Sequence, residues 1–181
     1  MAANVETMFY TRTKPWHGLG TMVEEAPTSR EALEAAGLNW QVIQKNLVTD
    51  SGIVVPGFKA NLRENDQQVL GVVSDRYKVV QNEEAFAFTD ALLGEGVTYE
   101  TAGSLQNGRR TWILAKLPAR YIISGDEVTP YLVFMNSHDG SGSIKAAMTP
   151  IRVVCQNTLN LALSTAKRSW STNHTGDIKG K

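Results

Sequence analysis

The stretch Pro130-YLVFMNSHDGSGSIKAAMTPIRVVCQNTLNLALSTAK-Arg168 decides how the rest of the chain is read. Tyr131 to Met135 is an apolar run of strand length, rich in β-branched and aromatic residues. Asn136 to Gly142 is a polar, glycine-rich turn, after which Ser143 to Met148 returns and breaks at Pro150. Ile151 to Cys155 continues the chain, and Gln156-Asn157 reads as the cap of a helix over Thr158 to Ala166. A hairpin followed by a helix is therefore expected, carrying a His-Asp pair, the single cysteine and several cations.

Outward from that unit, hairpins dominate. Thr98 to Leu105 and Arg110 to Leu117 flank Gln106-Asn-Gly-Arg109, whose Asn-Gly pair predicts a type I′ turn. Tyr121 to Ser124 and Tyr131 to Asn136 read as a second pair around Gly125-Asp-Glu127. Leu38 to Thr49, Phe58 to Arg63 and Val69 to Ser74 read as strands. Thr28-Ser-Arg-Glu31 forms a capping box for a helix to Ala36, with Gly37 as its stop, and Asn82 caps a helix over Glu83 to Leu93. About three helices with seven or eight strands predict an α+β fold, an antiparallel hairpin-rich sheet with the helices packed on it. The expected organisation is an irregular N-terminal arm over 1–27, one α+β domain over 28–170, and a polar tail over 171–181 leading into an absent C-terminal part. Trp16 is expected to pin the arm to the body.

At 181 residues the chain can bury a substantial core. No apolar run approaches the ~20 residues a membrane helix needs, so no membrane association is expected. One cysteine cannot build a disulfide framework, and the N-terminus lacks the apolar core of a signal peptide, which predicts the cytoplasm. Net charge is zero, but residues 1–90 carry 8 Lys/Arg against 12 Asp/Glu and residues 91–181 carry 10 against 6. That asymmetry predicts an anion-facing surface or contact between acidic and basic faces of neighbouring subunits.

Chemistry is scarce. Ser137-His138-Asp139 invites a hydrolase reading, yet adjacent residues on a turn rarely set a nucleophile, a base and its orienter within ~3 Å of one another. Turn chemistry explains the same residues. His17, His138 and His174 are scattered and Cys155 has no partner at ligand spacing, so neither metal nor cofactor is expected. Gly103 to Gly108 lacks the Gly-Lys-Ser/Thr of a phosphate loop and lies between strands. The cations carry more. Arg109 and Arg110 sit at a hairpin tip, Arg76-Tyr77-Lys78 alternates cation and aromatic, and Lys167-Arg168-Ser-Trp170 follows the last helix. With Lys145 and Arg152, these are the candidate nucleic-acid-binding residues. Cations would neutralise phosphates while Tyr77 and Trp170 stack bases.

Pro15-Trp-His-Gly-Leu-Gly20, Val73-Ser-Asp-Arg-Tyr77, Thr101-Ala-Gly-Ser-Leu105 with Gly108-Arg-Arg110, Asn136-Ser-His-Asp-Gly140 and Arg152-Val-Val-Cys-Gln-Asn-Thr-Leu159 resemble the phage/plasmid-like protein family of unknown function. The resemblance runs from about Pro15 to Gly176. It implies a phage or plasmid setting in a bacterial host. At the level of fold alone, the sheet-and-helix pattern also looks broadly like phage single-strand annealing recombinases, the RecT and Red-beta group, which act as rings or filaments. Together these lead to an expected role: single-strand DNA binding and annealing in recombination, without ATP and without catalysis, by a homo-oligomer. The alternatives are an accessory or anti-defence protein that binds a host protein or small nucleotide, and an enzyme using His138, Asp139 or Cys155.

Overall fold

The computed structural model describes residues 4–11, 15–23, 27–94, 98–117, 121–123, 126–128, 130–166 and 168–175. Its centre is the strand that the apolar run predicts. Tyr131–Ser137 (β10) is buried along its whole length, because consecutive residues serve opposite layers of the core. Val133 and Met135 face one layer and Phe134 the other. Such a strand belongs in the middle of a sheet covered on both faces. It lies between Arg110–Lys116 (β7) and Ile144–Thr149 (β11), antiparallel to both. Thr98–Leu105 (β6) extends the sheet beyond β7. The expected pairing of Tyr121 to Ser124 with the 131–136 strand is not formed. Tyr121–Ile123 (β8) pairs instead with Asp126–Val128 (β9) in a separate ribbon.

Residues 1–27, expected to be irregular, contain two strands of this same sheet. Val5–Thr11 (β1) pairs antiparallel with β6, and Thr21–Val23 (β2) pairs parallel with β1. At the opposite side, Arg168–Thr172 (β12) pairs with β11, so the sheet runs into the expected tail. The order is β12-β11-β10-β7-β6-β1-β2. A second, three-stranded antiparallel sheet is built from Val42–Val48 (β3), Val54–Arg63 (β4) and Val69–Ser74 (β5). Its middle strand runs through Pro56-Gly57 and so starts ahead of the expected Phe58.

Three helices cover the main sheet. Ser29–Ala35 (α1) has the predicted capping box, with Glu31 N–H donating to Thr28 Oγ1 at 3.3 Å and Thr28 N–H to Glu31 Oε2 at 3.1 Å. Asn82–Leu93 (α2) has Gln81 rather than the expected Asn82 at its N-cap position, with no side-chain cap bond: Gln81 bonds the Val42 backbone, and the Asn82 side chain is engaged elsewhere. Helices α1 and α2 bury Ala32, Ala36 and Phe86 against Phe9, Ile113, Phe134 and Ile144. Gln156–Thr165 (α3) covers the other face, packing Leu159 and Ala162 on Met8, Trp112, Leu114 and Val133. Its N-cap is Cys155, where the sequence reading places Gln156-Asn157. Thr158 Oγ1 accepts from the Cys155 N–H at 3.0 Å and donates to the Cys155 carbonyl at 3.0 Å. The molecule is α+β, with helix layers on both faces of a largely antiparallel sheet.

A buried histidine joint beneath a basic end

The small sheet meets the main one at the turn after β10. Gly71 on β5 is packed so tightly there that a Cβ would lie 2.5 Å from Asp139 Cα. Asn61 Nδ2 on β4 donates to the His138 carbonyl at 2.9 Å, and Tyr77 Oη donates to the Ser137 carbonyl at 2.5 Å. His138 itself is 0% exposed, with Trp40 edge-on at 5.5 Å. Its Nε2 lies 2.8 Å from Asn82 Oδ1, while Asn82 Nδ2 donates to the Leu38 carbonyl at 3.1 Å. The amide's orientation therefore makes Oδ1 the acceptor and places the imidazole proton on Nε2. This engagement is why Asn82 does not cap α2.

The end of the chain closes the joint. His174 stacks on Tyr77 at 4.4 Å between ring centroids, its Nδ1–H donates to the Lys78 carbonyl at 3.0 Å, and its own carbonyl accepts the Lys78 N–H at 2.6 Å. Burial lowers the pKa of both histidines, that of His138 to about 3, aided by the proximity of His174. Burial likewise raises the Tyr77 phenol, which stays protonated as a donor. Asp139 is also pushed up by burial, but hydrogen bonds from the Ser141 and Ser137 hydroxyls and the Ser141 N–H, with the charge of Arg110, hold it below its ordinary value. Ser137 Oγ donates to Asp139 Oδ1 at 2.7 Å, not to the imidazole, so the turn forms no Ser-His relay.

Above this joint the structure gathers part of the predicted cation set. Arg110 pairs with Ser137 across the sheet, Lys145 pairs with Met135, and the Arg109 carbonyl accepts the His138 N–H at 2.7 Å. Arg76 and Lys78 flank Tyr77, whose hydroxyl reaches the same turn. Arg76, Lys78 and Arg109 are exposed, and Arg110 and Lys145 are half-buried. The hairpin tip has the expected geometry, with positive φ at Asn107 and Gly108 and the Arg109 N–H donating to the Gln106 carbonyl at 3.3 Å.

Other predicted members fall elsewhere. Tyr77 is buried against His174, so its ring is not available to a base. Arg152 donates from Nη2 to the Thr11 carbonyl at 2.9 Å, at the opposite end of the sheet. Arg168 pairs with Met148 towards that same far end. Lys167 lies outside the described residues. Trp170 is half-buried beside Phe88, at 6.0 Å between nearly parallel rings, in a small cleft whose one charged wall residue is Glu84. It does not share a surface with the cations.

Trp16, expected to pin the arm, is instead an exposed group that the sequence does not reveal. It is 68% exposed, and the arm is held by His17, whose Nε2–H donates to the Val154 carbonyl at 2.9 Å. Trp16 borders Cys155 at the start of α3, and the next residue, Gln156, meets Gln106 of the hairpin tip. Burial pushes the Cys155 thiol up, but hydrogen bonds from Thr158, Asn157 and the Trp16 indole outweigh it and leave the pKa below its ordinary value.

Fold and site together define an α+β protein with a solvent-inaccessible histidine joint and a cationic end above it. A family model described as a domain of unknown function, DUF932, matches residues 69–181, and the chain belongs to that family. The family description assigns no activity. No curated protein and no solved structure matches the chain. Among the described residues, no helix is long and apolar enough to cross a membrane, and no cluster of three or more His, Cys, Asp or Glu residues is arranged to hold a metal ion.

Proposed function

We propose that this protein binds and anneals single-stranded DNA without ATP or catalysis, as a homo-oligomer serving recombination in a phage or plasmid setting. The observation that carries the reading is the grouping of Arg76, Lys78, Arg109, Arg110 and Lys145 around the turn at the end of β10. Asp139 is engaged by Ser137 and Ser141, and Arg76, Lys78 and Arg109 are exposed, within reach of phosphates. Base stacking passes from Tyr77 and Trp170 to the exposed Trp16. A backbone-directed interface of this kind binds without reading sequence.

The test is a salt titration with an oligonucleotide of about 40 bases, longer than the ~4–16 nucleotides that one compact single-strand-binding module covers. Affinity is expected to fall steeply with salt. Arg76→Ala with Arg109→Ala should flatten the log–log slope by roughly 0.7 for each phosphate no longer neutralised. No binding at low salt ends the reading.

A second reading, an accessory protein with a host protein as partner, is favoured by a cavity of about 430 Å³ between α1 and α2. Leu33, Leu38, Trp40 and Phe86 give it apolar walls; Arg30 pairs with Glu34 at 3.5 Å, and Glu83 and Asp90 leave the lining net acidic. That lining suits a cationic partner and repels the phosphates of a nucleotide. Co-purification of a defined protein, with an absorbance ratio showing no nucleic acid, would favour it.

A further inference from the structure

The main sheet has two edges, and they are finished differently. At one, β2 is three residues long, too short to template a partner strand. At the other, β12 presents five residues, Arg168-Ser-Trp-Ser-Thr172, with no proline. It pairs with β11 alone among the described strands. Among the described residues the chain does not double back along this edge: by His174 it has turned away to Lys78 and Tyr77. A strand edge left in this state displays backbone N–H and C=O groups whose natural complement is another strand.

We propose that β12 is the self-association edge of this protein, pairing antiparallel with β12 of a second copy about a two-fold axis through Trp170. The choice of partner and register follows from the side chains. Centred on Trp170, the pairing sets Arg168 against Thr172, Ser169 against Ser171 and Trp170 against its own copy. No like charges meet. Parallel in-register pairing would oppose Arg168 to Arg168, which is unfavourable. The central pair is aromatic, and each Trp170 already rests beside Phe88 at the mouth of an apolar cleft of about 80 Å³ walled by Phe134 and Ile144. A cross-strand aromatic pair there would be backed by core on both sides. Such a contact is isologous, so it closes at two copies. It stands independently of the strand-binding reading, since it uses none of the cations at the end of β10.

Light scattering on the full chain across a concentration series tests this. Ser169 and Ser171 are exposed, so their substitution leaves the core untouched, which circular dichroism verifies. The expected result is a concentration-dependent dimer that S169E/S171E abolishes, by opposing like charges at both two-fold-related pairs, and that S169K/S171E restores. A chain that stays monomeric at all concentrations overturns the proposal. So does a dimer insensitive to S169E/S171E, which would move the interface to another surface, such as the exposed Phe58, Val69 and Val72 of the small sheet. Failure of S169K/S171E to restore the dimer overturns the register.

Discussion

His138 shows how much a side chain's role depends on residues distant in sequence. Its neighbours Ser137 and Asp139 are legible as turn formers, but Asn82, Trp40 and His174, which settle its proton and its burial, lie far along the chain where no local pattern points to them. The joint makes stability depend on pH. An imidazole held neutral in the fold and free to protonate near pH 6.5 in the unfolded chain means that the unfolded state binds more protons in acid. Stability should be full above about pH 6.5 and fall as pH drops towards 3, by up to ~1.4 kcal/mol per pH unit for each such group. Urea midpoints at pH 7.5, 6 and 5 measure this, and His138→Gln should flatten the fall while lowering stability throughout. Gly71→Ala drives a methyl group into the backbone of Asp139 and should cost ~1–3 kcal/mol or more, read from the same midpoints. Trp16→Ala should leave stability unchanged. On the proposed function it weakens single-strand binding by ~1–3 kcal/mol with the salt slope preserved.

At the scale of elements, the strongest local signals match what forms: the Asn107-Gly108 hairpin, the Thr28 capping box and the apolar run of β10. What escapes a local reading are strands whose pairing alone makes them strands. Val5–Thr11 carries an ordinary mixed pattern, and it becomes a sheet member because Met8, Phe9 and Tyr10 find both core layers beside β6. Arg168–Thr172 straddles the expected end of the domain at 170 and carries no strand pattern of its own, and β11 recruits it. The start of α3 is a milder case, since cysteine is an unusual N-cap and the stabilising contact comes from Thr158 at the third helical position. Because Thr158 bonds the backbone of Cys155, Thr158→Val should cost ~1 kcal/mol in thermal or urea unfolding, whereas Cys155→Ala, which keeps those backbone groups, should cost less.

For the whole molecule, the division of charge between the halves of the chain is plain in the sequence, but its place in space is not. Cations 30 to 70 residues apart converge on the β10 turn because three separate elements end there, and convergence of that kind is a property of topology. The joint beneath them has a further consequence, for synthesis. The Asn136–Gly140 turn needs Asn61 and Gly71 from the small sheet, Tyr77 and Asn82 from the segment after it, and a stack completed only by His174. During translation, the early hairpins can form as they emerge. The imidazole stack must wait until almost the whole described chain has left the ribosome, so the two sheets should lock together late and as one event.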